Sequence, residues 1–384
     1  MAFPERASPE RRLVSADSHW IEAPGWWKGR IPREFEKLAP QLGKDVDGGD
    51  AWLFGDVVAP IGIYCAAGQS GSWKWTGMKF DEVDPGFYSG PDRLKDMDVD
   101  GVDAEVVFPT GRTLFHFTSH ENDAFHLAGV RAYNDAMLEF CSADRNRLVA
   151  LAALPRTSVK DAVEEMRRCI KAGHRGVVIL GYPSNREHPH PDDEPVWAEA
   201  AALGIPVHIH VRLASVQTKP KPKGKQGGDL TGLSTVGLVD MPTHIGDLIF
   251  AGVFDRHPTL QFVAAEAGAG WVPYLLEQMD DRWWRNRQWA DVKLGNPPSF
   301  YFRRNWMTTF MTDAYAVKNR HAIGVENMMW TSDFPHHGCE WPLSWKVIDT
   351  EFRDVASEER RQILAGNAAR LYGLTHLAPA AQAA

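Results

Sequence analysis

The feature that most constrains the fold is a regular alternation of short apolar runs and helical segments along the chain. Each run ends in polar or small residues and is followed by a stretch of helical character. The eight runs cover residues 13–19, 104–109, 148–154, 176–180, 206–210, 260–265, 306–310 and 328–331. Strands that alternate with helices form parallel βαβ units. Eight such units predict a closed (β/α)₈ barrel rather than an open sheet.

The segments between the runs carry signals for the beginning and end of helices. Residues 158–172 follow a Thr-Ser pair that can cap a helix, and acidic residues occupy the first turn. Residues 194–203 are closed by Gly204, which is typical of a helix C-terminus. Residues 271–283 and 357–372 are predicted to be helices on the same grounds.

Two segments interrupt the alternation. Residues 28–95 are rich in Gly, Pro and Trp, and we interpret them as an insertion that caps the barrel after its first strand. Residues 214–240 contain the basic sequence TKPKPKGKQGGD, and we expect this long loop after strand five to be a lid. The sequence therefore predicts one barrel domain over residues 1–377, followed by a disordered tail at 378–384.

Composition narrows the classes of function. The net charge of −8 argues against a nucleic-acid partner, since phosphate binding requires clustered Lys and Arg. The four cysteines show no CxxC pairing, which suits a reducing compartment. No run approaches about 20 apolar residues, and the first residues do not resemble a signal peptide. We expect a cytoplasmic protein without a membrane segment that acts on a small molecule.

Side chains of the types that bind metals are concentrated at the ends of four predicted strands. They are Asp17, His19 and Glu22 at run one, His208 and His210 in run five, Glu266 after run six, and Asp333, His336 and His337 after run eight. Residues two apart in a strand point the same way, so Asp17 and His19 can share one ion. A barrel places its chemistry at the carboxyl ends of its strands. Imidazole and carboxylate ligands suit Zn, Mn or Fe.

Four motifs resemble those of a known family. They are D-S-H-x-x-E at the first strand, I-P-V-H-I-H at the fifth, F-V-A-A-E-A-G-A-G-W-V-P-Y-L-L-E at the sixth and W-T-S-D-F-P-H at the eighth. Together they resemble the amidohydrolase superfamily, in the branch called amidohydrolase family 2 that is related to aminocarboxymuconate semialdehyde decarboxylase. The resemblance spans residues 13–374 and implies a distorted (β/α)₈ barrel.

The resemblance also implies the metal ligands. By motif they fall on Asp17, His19, His210 and Asp333, with His210 preferred over His208 because of its spacing from Pro206. The sequence departs from the decarboxylases at the sixth strand. Those enzymes usually carry a histidine there, and this chain has Glu266.

A divalent metal held in this way supports hydrolysis or non-oxidative decarboxylation of a small substrate that bears a carboxylate. We expect Asp333 to be the general base and Glu266 or His337 to be a second acid–base group. Arg112, after strand two, or Arg212, after strand five, could pair with the carboxylate of the substrate.

Two other functions stay open. Glu22, Glu266, His336 and His337 could complete a second metal site, as in the dinuclear iron or Mn/Fe oxygenases that some members of this scaffold resemble. Alternatively, the chain could be a non-catalytic metal-binding subunit. In each case we expect association, either as a homo-oligomer (dimer or tetramer) or with a related subunit.

Overall fold

The computed structural model describes residues 11–69, 71–211, 235 and 237–377. Its strands are β1 Val14–His19, β2 Gln41–Lys44, β3 Asp50–Phe54, β4 Val57–Pro60, β5 Ala104–Phe108, β6 Leu148–Ala150, β7 Ala152–Ala153, β8 Val177–Val178, β9 Val207–His210, β10 Phe262–Ala265, β11 Trp306–Phe310 and β12 Met328–Trp330. Its α-helices are α1 Gly90–Asp100, α2 Gly111–Thr118, α3 Asp123–Cys141, α4 Val159–Ala172, α5 Glu194–Leu203, α6 Met241–Phe250, α7 Val253–Arg256, α8 Val272–Asn286, α9 Pro298–Asn305, α10 Ala314–Lys318, α11 Arg320–Ile323, α12 Ser344–Glu351, α13 Ser357–Arg361 and α14 Asn367–Leu371.

The parallel strands form a closed barrel in the order β1, β5, β6–β7, β8, β9, β10, β11, β12. The β6–β7 strand pairs with β5 through its first half and with β8 through its second, and Leu151 joins the halves. The barrel closes where the N–H of Asp333 donates to the carbonyl of Asp17 at 3.0 Å and the N–H of His19 donates to that of Phe334 at 2.7 Å. The predicted (β/α)₈ architecture is therefore confirmed.

Each of the eight predicted runs contains a strand of the barrel, and the residues of these strands are all buried. Buried parallel strands have nearly continuous apolar sequences. Helix α4 begins as predicted, with the Ser158 hydroxyl accepting the N–H of Asp161 at 3.0 Å. Helix α5 ends at Gly204, whose φ of 63° is in the left-handed region. The predicted helix over 357–372 is divided by a π-helical turn at Gln362–Gly366.

The segment between β1 and α1 contains secondary structure that its composition did not predict. Strands β2, β3 and β4 form a small antiparallel sheet, and short 3₁₀ turns follow at Gly62–Tyr64, Phe80–Glu82 and Pro85–Phe87. Helix α1 begins at Gly90, inside the segment 28–95, because Pro91 suits the first turn of a helix. The predicted lid at 214–240 lies mostly outside the described residues, and the tail at 378–384 lies wholly outside them.

One close approach brings the 3₁₀ turn at Gly62 against the chain at Lys74 and Trp75. A Cβ on Gly62 would lie 2.0 Å from the carbonyl oxygen of Lys74 and 2.7 Å from that of Trp75. Only glycine fits here, since backbone atoms cannot move aside as flexible side chains do. The contact holds Tyr64 and Trp75 on neighbouring parts of the inserted segment.

Helix α2 is held against α3 by an equally close contact. A Cβ on Gly129 would lie 1.9 Å from Cδ1 of Phe117, and Phe117 is fully buried. We expect Gly129→Ala to lower the free energy of unfolding by about 1–3 kcal/mol, because the added methyl group forces the ring out of its packed position. Urea denaturation followed by tryptophan fluorescence measures the change.

Gly246→Ala is the matched control. Gly246 lies inside α6, and a Cβ there would meet only Phe250, at 3.9 and 4.0 Å, which is ordinary contact. We expect it to raise the free energy of unfolding by about 0.5–1 kcal/mol, since alanine has the better helix propensity. Equal effects of the two substitutions would contradict this account of the packing between α2 and α3.

Candidate metal centre

The predicted ligands converge at the carboxyl-terminal mouth of the barrel. Asp17 and His19 lie at the end of β1, His210 is the last residue of β9, and Asp333 follows β12. Glu266 directly follows β10, the strand beside β9. Parallel strands end at the same side of the barrel, so side chains far apart in sequence meet there.

The distances place these groups around one position. Nε2 of His19 lies 3.4 Å from Oδ1 of Asp17 and 3.2 Å from Oδ1 of Asp333. Nε2 of His210 lies 3.4 Å from Oδ2 of Asp17 and 3.5 Å from Oε2 of Glu266. A single nitrogen of His19 therefore faces two carboxylates, and Asp17 links the two histidines.

The side chains of this cluster are buried, and many of their polar atoms have no hydrogen-bond partner. Asp17, His19 and Asp333 are each at most 1% exposed. Both carboxylate oxygens of Asp17 and Asp333, and Nε2 of His19 and His210, lack hydrogen bonds within the described part of the chain. Buried polar atoms are nearly always paired, so a cluster left in this state fits a bound cation. The chemistry of the donors agrees, since oxygen and imidazole ligands suit Mn, Fe and Zn.

The electrostatics of the cluster indicate an excess of negative charge. Burial lowers the pKa of His210, but the charges of Asp17 and Glu266 outweigh it and raise that pKa to about 10. Burial raises the pKa of Asp333, but His336 and His19 outweigh this effect and hold it well below its usual range. Burial lowers the pKa of His19 to about 4. The centre therefore attracts positive charge, which a divalent ion would supply.

The backbone turns sharply where two of the carboxylates leave their strands. Glu266 and Asp333 both have a φ of 55°, a left-handed conformation that is uncommon for residues other than glycine. The N–H of Glu266 donates to the Thr309 hydroxyl at 2.8 Å, and the N–H of His336 donates to the carbonyl of Asp333 at 2.8 Å. Such strained positions cluster at functional sites.

The structure separates the two histidines of β9. His208 is fully buried, and its ring nitrogens lie 2.8 Å from the Val177 carbonyl and 2.8 Å from the Tyr372 hydroxyl. Burial lowers the pKa of His208 to about 3, so it stays neutral. The Tyr372 hydroxyl must donate to Nε2 of His208, because Nδ1 has to donate to the carbonyl. His208 is thus a satisfied core residue, whereas His210 reaches the cluster.

Among the residues predicted for a second metal site, only His336 joins a group of close ligand atoms. The described residues contain two such groups, Asp17 with His19 and His210, and His19 with Asp333 and His336. Nδ1 of His336 lies 2.9 Å from Oδ1 of Asp333, and its ring stacks on that of His19 at 3.9 Å. Glu266 lies next to His210, as described above.

Glu22 lies outside the two groups of close ligand atoms found among the described residues. It is 1% exposed, and its Oε1 accepts the hydroxyl of Thr113 in α2 at 2.6 Å. It also contacts the hydroxyl of Tyr133 in α3. The expected turn after strand one therefore directs this carboxylate against α2 and α3.

Aromatic residues of the inserted segment, which the sequence did not single out, line the mouth. The Tyr64 ring lies 5.1 Å from that of His336, and the Trp73 ring lies 5.3 Å from that of His337. Trp75 lies 6.3 Å from Trp73. Fifteen tryptophans in a chain of this length gave no means of choosing these two. The inserted segment reaches the site where the N–H groups of Ala66 and Ala67 donate to the carbonyl of Pro335, in the chain after β12.

The two arginines predicted to bind substrate have different outcomes. Arg112 is the second residue of α2, and its guanidinium carbon lies 4.9 Å from the centre of the Tyr64 ring and 5.7 Å from that of Trp75. Arg212 lies outside the described residues. Arg112 is therefore at the mouth, and its role in binding substrate stays a prediction.

Comparison with known proteins identifies the family. The family described as Amidohydrolase matches residues 73–374, which is more than half of the chain. This chain belongs to the amidohydrolase family. It is 25% identical over 300 residues to gamma-resorcylate decarboxylase of Rhizobium sp., covering 73% of this chain and 86% of that one. It is also 25% identical over 307 residues to 2-amino-3-carboxymuconate-6-semialdehyde decarboxylase of Dictyostelium discoideum, covering 78% and 80%.

Solved structures agree on the fold of this amidohydrolase. An amidohydrolase from Mycobacterium avium subsp. paratuberculosis has a TM-score of 0.72 at 20% identity and covers 94% of this chain and 99% of its own. A dihydroxybenzoic acid decarboxylase from Polaromonas sp., solved with bound manganese and an inhibitor, has a TM-score of 0.61 at 17% identity and covers 95% and 97%.

Taken together, the comparisons confirm the predicted family and the predicted class of metal-dependent hydrolase or carboxy-lyase. None of the described helices is long and apolar enough to cross a membrane. The roles of the individual site residues, the cytoplasmic location and the oligomeric state stay predictions.

The buried Glu22 provides a test of this geometry through pH. Burial raises its pKa from 4.5 to about 7, although hydrogen bonds from Thr113 and Tyr133 oppose the rise. The folded protein then binds this proton more tightly than the unfolded chain does, so Glu22 stabilises the fold below about pH 4.5 and loses that contribution as the pH rises through about 7. We therefore expect the free energy of unfolding of Glu22→Gln, relative to that of wild type, to increase by about 3 kcal/mol when the pH is raised from 4.5 to 8.

The measurement is the difference in the free energy of unfolding between wild type and Glu22→Gln at each pH, since the other titrating groups cancel. Glu121→Gln is the control, because Glu121 is exposed, and its difference from wild type should be flat. A flat difference for Glu22→Gln as well would mean that Glu22 is ionised in the folded protein.

Proposed function

We propose that this chain catalyses the non-oxidative decarboxylation of a small aromatic carboxylate with one divalent metal ion. The observation that carries the proposal is the convergence of Asp17, His19, His210 and Asp333, with buried oxygen and nitrogen atoms that lack hydrogen-bond partners in the described chain. Relatives named as decarboxylases support the choice of reaction over hydrolysis. Aromatic rings at the mouth support an aromatic substrate, since flat rings stack on one another.

Asp17, His19, His210 and Asp333 would hold the metal, and the ion would polarise the carboxylate and stabilise developing negative charge. Manganese occurs in one solved neighbour, and this donor set suits it. Nδ1 of His210 donates to the Val211 carbonyl at 2.8 Å, which directs Nε2 toward the cluster. The Glu266 carboxylate lies 3.5 Å from that Nε2. This placement would allow Glu266 to replace the histidine of related decarboxylases as a neighbour of the ligands.

The protein must also supply a proton to the carbon that loses CO₂. The bond between that carbon and the carboxylate breaks, its electron pair stays on the ring carbon, and CO₂ leaves as the proton arrives. Oδ1 of Asp333 and Nδ1 of His336, 2.9 Å apart, can share this proton. We assign proton delivery to His336, in the place predicted for Glu266 or His337. The Asp333 carboxylate, 2.9 Å from Nδ1 of His336, holds that ring in position, and solvent restores the proton.

The two-metal oxygenase is the second candidate, and the group formed by His19, Asp333 and His336 favours it. However, the same nitrogen of His19 faces both Asp17 and Asp333. An imidazole nitrogen has one lone pair and binds one ion. The carboxylate of Glu22, which a second site was predicted to use, is turned toward Thr113. The arrangement therefore favours a single ion.

The ligand assignment is tested by Asp333→Asn and His210→Ala. We expect each variant to lose most of its metal and at least about a hundredfold in activity, because a lost ligand weakens the site and removes metal-dependent stabilisation. Metal per chain is measured by elemental analysis, and activity as CO₂ released from a panel of hydroxybenzoates.

Asp291→Asn and His321→Ala are the matched controls. Asp291 is exposed and shares the left-handed backbone of Asp333, with a φ of 51°. His321 is exposed and pairs with Glu359 away from the mouth. Both controls should keep wild-type metal and activity. Normal metal content in Asp333→Asn and His210→Ala would overturn the assignment.

The number of metal ions separates the two candidate functions. We expect about one ion per chain, and CO₂ release without consumption of oxygen, on protein purified without a chelator. His336→Ala should keep the ion, because Asp17, His19, His210 and Asp333 remain. Two ions per chain with uptake of dioxygen would support the oxygenase instead.

A further inference from the structure

The charge of Arg112 has no counter-ion among the described residues. The guanidinium contacts the rings of Tyr64 and Trp75, and Arg112 takes part in no hydrogen bond or ion pair within the described chain. Its Nε is buried and lacks a hydrogen-bond partner there. A buried polar atom of a charged group costs free energy unless a partner is bound. Among the described residues, the guanidinium of Arg112 therefore has an open position for an anion.

The surroundings of Arg112 fix its direction. The aromatic faces of Tyr64 and Trp75 hold the guanidinium by cation–π contacts, and the close approach of Gly62 to the carbonyl groups of Lys74 and Trp75 keeps these two rings near each other. The flat guanidinium keeps its N–H groups available at its edge, which suits bidentate binding of a carboxylate. We call Arg112, Tyr64 and Trp75 the Arg112 subsite.

The Arg112 subsite is next to the candidate metal centre but distinct from it. The ring of Tyr64 contacts both the guanidinium, at 4.9 Å, and the ring of His336, at 5.1 Å between ring centres. The ring of His336 in turn stacks on His19. Arg112 forms no ion pair with Asp17, Glu266 or Asp333 in the described chain. Within the described chain, the guanidinium is thus connected to the metal centre through the rings of Tyr64 and His336 and not through a direct ion pair with its carboxylates.

We propose that the substrate carries two anionic groups, of which one reacts at the metal centre and the other is bound by the Arg112 subsite. This inference rests on the proposed decarboxylation, and it narrows the substrate class to aromatic acids with a second carboxylate or a comparable anion. Arg112 is then the residue that determines specificity, and Tyr64 and Trp75 position it.

The experiment compares the binding of benzoate with that of phthalate, isophthalate and terephthalate to the metal-loaded full chain by calorimetry. These probes carry one carboxylate or two, at three spacings. For wild type we expect the best dicarboxylate to bind at least about tenfold more tightly than benzoate, since a charge-assisted pair contributes that much. Arg112→Met should remove this preference, so that benzoate and the three dicarboxylates bind with similar affinity. Arg112→Lys should keep part of the preference, because lysine retains the positive charge but lacks the planar group that binds a carboxylate through two hydrogen bonds.

Arg287→Met is the matched control. Arg287 lies over the rings of Trp283 and Trp284 at the end of α8, and it makes the same kind of contact far along the chain from the mouth. This variant should bind all four probes as wild type does. The inference is overturned if no dicarboxylate binds more tightly than benzoate, or if Arg112→Met keeps the preference or weakens all probes equally.

The same proteins distinguish this inference from the proposed function. If the protein prefers a dicarboxylate through Arg112 but releases no CO₂ from any aromatic acid, the proposed decarboxylation is wrong and the Arg112 subsite is supported. The opposite outcome is that the protein releases CO₂ from monocarboxylates and dicarboxylates alike. If Arg112→Met then leaves the ratio of the two rates unchanged, the decarboxylation is supported and the Arg112 subsite is wrong.

Discussion

The hydrogen bonds between β1 and the segment after β12 close the barrel and also bring together the residues of the candidate metal centre. The carbonyl of Asp17 accepts the N–H of Asp333, and the N–H of His19 donates to the carbonyl of Phe334. Buried hydroxyl groups of Ser15, Ser18, Thr331 and Ser332 fill the same seam, with contacts of 2.9–3.3 Å between them. Three of the four candidate ligands lie on these two segments. Any movement of the seam would therefore separate the ligands, so barrel closure and the geometry of the centre depend on one another.

The barrel strands and the main ligands were predictable because their sequence signals are local. Each strand is a short buried run, and Asp17 and His19 are two residues apart on one strand, so they share a face whatever surrounds them. The distinction between His208 and His210 was harder, since both side chains of β9 point inward. The spacing from Pro206 favours His210, and the structure brings His210 to the cluster, whereas His208 lies deeper in the barrel and meets Tyr372 from the C-terminal region of the chain.

The remaining parts of the site depend on contacts that no local pattern records. Glu22 lies only three residues beyond His19, yet the turn between them carries its carboxylate to Thr113, on a helix that the sequence did not place. His336 and His337 follow a turn that begins at the left-handed backbone of Asp333. Neighbouring residues in such a turn point in different directions, so the sequence alone did not show which histidine faces the cluster. Tyr64 and Trp75 reach the mouth because Gly62 meets the backbone near residue 74, a contact between distant positions.

The balance of charge explains why the mouth carries the arginine as well as the acids. Asp17, Glu266 and Asp333 bring three carboxyl groups to the centre, so one divalent ion leaves a formal charge of −1 when all three are ionised. An anionic substrate would then be repelled at the end of its approach, most strongly where water is excluded. In the proposed reaction, Arg112 would offset this repulsion by attracting the second anionic group of the substrate. Glu266 stands where related decarboxylases carry a neutral histidine, so it adds a negative charge to the centre. The Arg112 guanidinium, which contacts Tyr64 and Trp75 of the inserted segment, supplies a positive charge nearby.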